Sequence, residues 1–336
     1  MLELLRKHDT GLAELENGAG SVLVCPNLQG RIFCQIQNEL IHRLDATALA
    51  APSPTEFNNL GGNSLWPAPA GGIFAFNYLP GSDAWVVQKG IGETPAKIVH
   101  RDGHSVVLEK QIDLTNRKGV HVETFYRRAV SVSSAGTPHY AGLAGLTYRT
   151  EDTFEPIGSY SAAEVLLAPW SLEQFPGGEG VTAFCKVLGP KTAINFDFYG
   201  LPEGRISYGD GFFTFALGGE PRHQIGVRMA SSPRLIGALD SKRSLLILRR
   251  TAPQTGVYFN IADNDQASGP YSAADLYSVF NGGALNFFEL ETIGAMQVVD
   301  DYVAMSTLVS ETTILKGSMD VLNNLLAEQH NIRIDD

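Results

Sequence analysis

The chain has 336 residues, of which 44% are hydrophobic and 18% charged, and this composition excludes a disordered or fibrous protein. Its formal net charge of −11 opposes binding to nucleic acid or to an anionic membrane. No basic stripe offsets that charge, so a small molecule is the partner most compatible with it. The length fits either two ordinary domains or one large all-β domain.

The cysteines and acidic clusters give no sign of a metal or a cofactor. Cys25, Cys34 and Cys185 are odd in number and irregularly spaced, so buried free thiols are expected rather than disulfides or zinc ligands. Residues 263–265 (Asp-Asn-Asp) begin like a calcium loop, but the glycine at the sixth position and the glutamate at the twelfth are missing. We therefore expect no metal and no cofactor.

The N-terminal segment gives an expectation about location. Charges interrupt the leucines of residues 1–10, so no apolar signal segment is present, and no apolar run reaches transmembrane length. By default these observations predict a cytoplasmic protein that does not enter membranes. Nothing in the sequence predicts its oligomeric state.

Taken in chain order, the pattern is dominated by short strands. A short helix is predicted over residues 2–9, a surface loop over 46–57, a helical turn over 272–280, and a C-terminal helix that Ser318 caps. Turn signals recur every eight to twelve residues. Strands are predicted at 21–25, 31–36, 105–114, 120–130, 143–153, 182–188, 192–198, 212–216, 224–229, 244–250, 257–261, 286–292 and 302–311. With no break in composition, the pattern predicts an all-β chain that forms one large antiparallel sandwich domain over residues 1–336.

Two tryptophans stand beside Gly-Pro-rich stretches. Trp66 lies between two Gly-Gly pairs in residues 61–72, and Trp170 is followed by Glu173, Gln174 and a Pro-Gly-Gly turn. A rigid loop that presents an indole face suits stacking on a sugar ring, although a core tryptophan explains the pattern about as well. Arg31, which opens a strand directly after a glycine, is either a solvated edge residue or a ligand contact.

Glu289 and Glu291 are the strongest candidates for chemistry. In the alternating strand 286–292 they share one face with Phe287. Inside a cleft, burial and mutual repulsion raise the pKa of such a pair, which is how a general base is made. Nucleophilic catalysis has less support, because neither a G-x-S-x-G motif nor a cysteine paired with a histidine signature is present.

These residues resemble a known family. The strand Phe288-Glu289-Leu290-Glu291-Thr292 resembles the strand that carries the base glutamate of galactose mutarotases (aldose 1-epimerases), and the Gly61-Gly62…Trp66-Pro67 segment resembles that of hexose-phosphate mutarotases. The chain most closely resembles an uncharacterised bacterial family within this superfamily, over residues 2–330. The segments that carry this resemblance are Leu28-Gln29-Gly30-Arg31, Trp66-Pro67 to Gly71-Gly72, Phe198-Tyr199-Gly200, Arg222-His223-Gln224-Ile225-Gly226 and Phe287-Phe288-Glu289-Leu290-Glu291.

The resemblance implies a β-supersandwich whose concave face binds a carbohydrate. Glu291 would take the proton of the anomeric hydroxyl, a histidine would protonate the ring oxygen, and Arg222 and His223 would contact the substrate. The region where mutarotases hold that histidine, residues 148–154, contains none here, and His139 and His223 are the nearest. The sugar-binding arginine before the Gly-Gly pair is also absent, a role that Arg31 could take.

Three hypotheses therefore stand. The first is an aldose or sugar-phosphate epimerase with Glu291 as base. The second is a carbohydrate-binding protein without catalysis that uses Trp66 and Trp170 as platforms. The third is a glycoside-cleaving or lyase-type enzyme that uses Glu289 or Glu173.

Overall fold

Two large antiparallel sheets, packed face to face, form the framework of the protein. The computed structural model describes residues 2–133, 140, 142–262 and 274–334. Within these residues each large sheet has ten strands, and a two-stranded sheet accompanies them. The predicted all-β antiparallel sandwich is thus confirmed.

The elements follow the turn signals of the sequence closely. The strands are β1 (Ala13–Asn17), β2 (Gly20–Cys25), β3 (Arg31–Ile36), β4 (Glu39–Leu40), β5 (Gly62–Ala68), β6 (Lys97–Arg101), β7 (Ser105–Thr115), β8 (His121–Val132), β9 (Leu143–Pro156), β10 (Ala168–Pro176), β11 (Val181–Lys186), β12 (Ile194–Asn195), β13 (Ile206–Gly209), β14 (Phe212–Ala216), β15 (His223–Arg228), β16 (Leu235–Asp240), β17 (Leu245–Thr251), β18 (Asp275–Asn281), β19 (Phe287–Ile293), β20 (Gln297–Val299), β21 (Tyr302–Ala304) and β22 (Ser306–Gly317). The helices are α1 (Leu2–His8), α2 (Ala46–Ala50), α3 (Lys89–Gly92), α4 (Pro190–Ala193) and α5 (Met319–His330), with single 3₁₀ turns at Met229–Ser231 and Gly283–Leu285.

The order of strands places β19 inside the first sheet. That sheet runs β1-β2-β3-β5-β10-β19-β18-β15-β12, with β4 beside β3, and the second runs β13-β14-β11-β16-β17-β22-β9-β8-β7-β6. Apolar side chains from the facing sides of both sheets, such as Val24 and Leu290 of the first and Leu108 and Ile314 of the second, form the main core. This core fixes the register of each strand, because a slip of one residue would turn its apolar side chains outward.

The first sheet is covered on its other face as well. Every residue of β5 and β19, and all but the last of β10, is buried. By contrast, burial alternates along β7 and β8, as expected for strands with one solvated face. Loops over the outer face of the first sheet therefore enclose it, and the candidate site lies beneath them.

Several sequence predictions were wrong about element type. Trp66 and Trp170 lie on strands β5 and β10 rather than on loops, because Pro67 and Pro169 are paired across the two strands in antiparallel register. Proline lacks a backbone N–H and usually ends a strand, so the two stretches were predicted as loops. The pairing joins two residues that each lack this donor.

Other differences concern short segments. The described part of the predicted helical turn at 272–280 belongs to strand β18, and the predicted strand at 257–261 keeps only a bridge between Val257 and Met296. The predicted loop at 46–57 opens with α2, which Asp45 caps by accepting from the Ala48 N–H. Much of the strand predicted at 192–198 is α4 and the two-residue β12. These segments are too short for periodicity to separate helix from strand.

The C-terminal helix is confirmed. Ser318 Oγ accepts a hydrogen bond from the Val321 N–H, and Leu322, Leu325 and Leu326 are buried against the second sheet. Among the described residues, no helix has the length and apolar character needed to cross a membrane.

Candidate functional site

A cavity of about 370 Å³ lies on the outer face of the first sheet. Its floor is formed by strands from the middle of the sheet, and its walls by the loops that cover them. The residues that line it are Arg31, Phe57, Asn59, Ser64, Trp66, Ala70, Asn77, Tyr78, Trp85, Trp170, Leu172, Gln174, Phe198, Tyr199, Arg222, Gln224, Phe280, Leu285, Phe287, Glu289 and Glu291. Its volume falls within the range of typical small-molecule sites.

Strand β19 places both candidate glutamates in the floor. Phe287, Glu289 and Glu291 line the cavity, whereas Phe288 and Leu290 between them pack into the core between the sheets. Only 7% of Glu289 and 0% of Glu291 is exposed. The alternation of a strand therefore brings two buried carboxyl groups side by side into one cavity.

Three neutral side chains hold the carboxyl group of Glu291. Trp170 Nε1 donates a hydrogen bond to its Oε2 at 3.0 Å, and Gln224 Nε2 lies 3.2 Å from both of its oxygens. Ser278, its cross-strand neighbour on β18, also hydrogen-bonds to it. Glu291 is thus anchored from β10, β15 and β18, and no cation among the described residues is in contact with it.

Glu289 is held by a relay of two hydrogen bonds that runs from Arg43 through the side-chain amide of Gln174. Arg43 Nη1 donates to Gln174 Oε1 at 3.2 Å, and Gln174 Nε2 donates to Glu289 Oε1 at 2.6 Å. Gln174 lies opposite Glu289 in the β10–β19 register, so the sheet itself sets this contact. The relay fixes the orientation of the Gln174 amide, because its oxygen accepts from arginine and its nitrogen donates to glutamate.

The two carboxyl groups are hydrogen-bonded to each other, and their pKa values are raised. Burial is the main cause for both, and the adjacent Glu289 raises the pKa of Glu291 further, to well above its usual range. On Glu289, the hydrogen bond from Gln174 and the charges of Arg31 and Arg43 oppose the rise in pKa. Glu291 is therefore the member of the pair that keeps its proton more strongly.

Arg31 lies in the cavity wall and is not a solvated edge residue, since only 2% of it is exposed. Its Nε donates to Gln29 Oε1 at 2.9 Å and its Nη1 to the Gly61 carbonyl at 2.5 Å. Gly61 has φ +87°, and a Cβ there would lie 2.1 Å from the Arg43 carbonyl oxygen. The Gly-Gly motif thus serves a close backbone approach that positions this carbonyl for Arg31. Burial lowers the pKa of Arg31 to about 10.

Aromatic rings form much of the wall. Trp66 and Trp170 meet edge to face with ring centroids 6.2 Å apart, and only 8% and 5% of them is exposed. Phe57 lies between Trp66 and the half-exposed Trp85. The two tryptophans are therefore packed residues that also line the cavity.

Glu173 faces the opposite side of the sheet from the cavity. Arg249 Nη1 lies 3.0 Å from its Oε2, and its Oε1 accepts from Tyr148 Oη at 2.5 Å. His42 Nδ1 accepts the Cys34 N–H at 2.8 Å, so its Nε2 carries the proton and donates to Glu173 Oε1. Burial disfavours the charge, but Arg249 and His42 outweigh it and lower the pKa of Glu173 to about 2. The strand alternation that points Gln174 into the cavity excludes Glu173 from it.

The predicted substrate contacts at 222–223 separate in the same way. Arg222 lines the cavity and hydrogen-bonds to Tyr199 at its mouth. His223 points away from the cavity, and its ring meets that of Phe215 in the second sheet edge to face, with the ring centroids 6.5 Å apart. The following residue, Gln224, occupies the cavity face of β15 instead.

No described residue that lines the cavity is a histidine. Residues 148–154, where the sequence comparison places the acid of mutarotases, belong to β9 in the second sheet. His139 and the Asp-Asn-Asp segment at 263–265 lie outside the described residues. The histidine to which the resemblance assigns the acid role therefore has no counterpart among the described lining residues.

Sequence reasoning missed several residues of the site. Gln224 lies next to His223, and the strand alternation was a signal for it. Asn77 and Arg43 had no such signal, because each comes from a segment that reaches the site only through long-range packing. Arg43 also stacks its guanidinium over the ring of Phe287, 4.8 Å from its centroid.

The cavity offers little to a metal ion. Glu289 and Glu291 are its only acidic groups among the described lining residues, and Glu289 Oε1 and both oxygens of Glu291 already accept hydrogen bonds from side chains. In the described part of the chain, Asp113, His121 and Glu123 form a cluster of metal-ligating type on the largely exposed side of β7 and β8, outside the cavity.

Comparison with known proteins shows the fold and the family. The structure matches a protein of Escherichia coli K12 provisionally described as an aldose 1-epimerase, with 13% identity, a TM-score of 0.54, and coverage of 91% of this chain and 99% of that one. It also matches the Slr1438 protein of Synechocystis sp. PCC 6803, with 11% identity, a TM-score of 0.53, and coverage of 91% and 96%. A galactose mutarotase related enzyme from Lactobacillus acidophilus matches with 8% identity, a TM-score of 0.50, and coverage of 92% and 98%.

At these identities the likeness shows the galactose mutarotase-like sandwich fold and not a particular activity. No curated protein matches the sequence. One family model covers residues 1–336, and its description is a family of unknown function. The chain therefore belongs to the DUF6786 family and has a galactose mutarotase-like fold.

Proposed function

We propose that the protein binds a carbohydrate in this cavity and interconverts its anomers, as an aldose 1-epimerase does. The observation that carries the proposal is the pair of buried glutamates in the floor of an aromatic-lined cavity. Mutarotation needs a base for the anomeric hydroxyl and an acid for the ring oxygen, and the pair provides titratable groups at one place. The fold is supporting analogy only.

Unpaired polar groups in the wall favour a polyhydroxylated ligand. The side-chain oxygen of Asn77 has no hydrogen-bond partner among the described residues, although only 2% of the residue is exposed. Arg31 uses Nε and Nη1 for protein contacts and makes no hydrogen bond through Nη2 within the described residues. Buried polar groups are costly without partners, so sugar hydroxyls would supply what the protein leaves open.

One observation favours the second candidate, a carbohydrate-binding protein without catalysis. The described lining residues include no histidine, so the acid used by the resembling enzymes is missing from the wall. In that case Trp66 and Trp170 would contribute only contact area to the sugar. Binding without anomer exchange would identify this function.

The geometry opposes the third candidate, a glycoside-cleaving enzyme. Two-carboxylate glycosidases keep their acid and their second carboxylate roughly 5–10 Å apart. Glu289 and Glu291 are in hydrogen-bond contact, and Glu173 faces the other side of the sheet. Neither arrangement leaves two separated carboxyl groups around one glycosidic bond.

The test is anomer exchange measured by saturation-transfer NMR on a panel of free hexoses and hexose phosphates. We expect exchange above the buffer rate for at least one sugar. Asn77→Leu, which keeps the approximate volume but removes the polar group, should weaken binding of that sugar roughly tenfold or more. Glu311→Gln, on the exposed side of β22, is the matched control and should change neither quantity. Sugar binding with no exchange would refute the epimerase and support the binding protein without catalysis. If no sugar bound, both candidate functions would be refuted.

A further inference from the structure

The contact between Glu289 and Glu291 limits the charge that the pair can carry. Two carboxylates in hydrogen-bond contact and out of water cannot both be ionised, because their repulsion adds to the loss of solvation. Both groups lie on one face of β19 in the same cavity, and both are buried. Their position therefore favours a single proton on the pair.

The residues around the pair favour the proton on Glu291 over the proton on Glu289. Glu291 faces Trp170 and Leu172 of β10, Ser278 of β18 and Gln224 of β15, all of them neutral. In the described part of the chain no cation contacts Glu291 on this side, which favours its neutral form.

The cations of the site lie on the side of Glu289. Arg31 in the wall and Arg43 behind Gln174 act on its charge, while Phe280 is its uncharged cross-strand neighbour on β18. Arg222 lies at the mouth, where it hydrogen-bonds to Tyr199. Glu289 is therefore the carboxylate of the pair and Glu291 its carboxylic acid.

We propose that this one-proton pair supplies both the acid and the base of mutarotation, with Glu289 as the base and Glu291 as the acid. This inference rests on the proposed function and deepens it. It reverses the role that sequence resemblance gave to Glu291, and it requires no histidine.

The chemistry balances with the groups present. Glu289 takes the proton of the anomeric hydroxyl, whose oxygen forms the carbonyl of the open-chain aldehyde. The bond between the anomeric carbon and the ring oxygen breaks, and its electron pair stays on the ring oxygen. That oxygen takes the proton of Glu291. The pair still holds one proton, which now lies on Glu289.

Ring closure returns the pair to its starting state. After rotation about the bond next to the carbonyl carbon, the former ring hydroxyl attacks the other face of that carbon. Its proton passes to Glu291, while the carbonyl oxygen takes the proton of Glu289 and becomes the anomeric hydroxyl of the other anomer. No proton has to enter from water during the cycle.

The test compares Glu289→Gln and Glu291→Gln with the wild-type protein. Each substitution keeps the shape of the side chain and removes one proton-transfer group, so we expect each to reduce anomer exchange roughly 10²–10⁴-fold. Sugar affinity, measured by calorimetry, should change much less. Glu311→Gln is again the control, and its rate should stay at the wild-type value.

A second measurement does not depend on activity. Infrared difference spectra at neutral pH should show the carbonyl stretch of a protonated carboxylic acid in the wild type, and Glu291→Gln should abolish it. Glu289→Gln should retain it, because a lone buried Glu291 keeps its proton.

The outcomes separate this inference from the function on which it rests. Exchange that survives in either glutamine variant, or a wild-type spectrum without a protonated carboxyl, overturns the paired mechanism while mutarotation stands. A protonated carboxyl together with no exchange of any sugar in the wild type refutes the proposed function, and with it the catalytic role of the pair.

Discussion

The buried proton makes stability depend on pH in a way that Glu291→Gln should remove. The pKa of Glu291 is raised in the folded protein, so the native state binds one proton more than the unfolded chain once the pH exceeds the ordinary glutamate range. The stability linked to this proton is complete at acidic pH. It is lost as the pH rises toward the folded pKa.

The magnitude follows from the linkage relation. One proton of difference changes the free energy of unfolding by about 1.4 kcal/mol per pH unit. For each pH unit between the ordinary glutamate pKa and the raised pKa of Glu291, the wild type should therefore lose about 1.4 kcal/mol that Glu291→Gln does not lose. A loss of this size is measurable against the roughly 5–15 kcal/mol by which a typical protein is stable.

The assay is urea denaturation of both proteins at several pH values from 5 to 7. Because other titrating groups are the same in both, the difference between their free energies of unfolding isolates the pair. We expect the free energy of unfolding of Glu291→Gln to rise steadily relative to that of the wild type as the pH increases. Glu311→Gln, which removes an exposed carboxyl group, should follow the wild type. If the free energies of unfolding of the wild type and of Glu291→Gln changed in parallel with pH, the reasoning would be refuted.

Two further predictions concern stability alone. Arg249→Met leaves the charge of Glu173 buried without its cation and should cost about 3–5 kcal/mol, whereas adding Glu173→Gln should recover much of that loss in the same denaturation assay. If the double variant were no more stable than Arg249→Met, the ion pair would not be the cause. Ser318→Ala removes the cap of α5 and should cost about 1 kcal/mol, while Ser318→Asp should retain most of the stability. Equal losses in both Ser318 variants would show that the cap does not contribute.

The raised pKa values also mark a conflict between stability and chemistry at this site. In place of a proton-binding group that is held out of water, Glu291→Leu would put an apolar side chain, which has no such group to desolvate. Groups with perturbed pKa values concentrate at functional sites, and such sites often trade stability for activity. The variant Glu291→Gln is thus expected to be more stable than the wild type at neutral pH and less active.

The sequence by itself determined the type of fold and the strand face that carries the two glutamates. Alternation of period two is a local property, so it predicted most strands and placed Phe287, Glu289 and Glu291 on one side of β19. The C-terminal helix α5 and its Ser318 cap were predicted from local signals as well. Local rules also explain the errors, because Pro67 and Pro169 look like strand breakers until each is paired with the other.

Only the tertiary structure decided which neighbours surround those glutamates. Gln174 and Gln224 are 115 and 67 residues away from the glutamates that they contact, and Arg43 acts from a loop before β5. The tertiary structure also decided which face of the sheet the cavity covers, and strand alternation then left Glu173 and His223 on the other face, beside residues that line it. Charge, burial and hydrogen bonding are set by residues far apart in sequence, and these three decide where a shared proton lies.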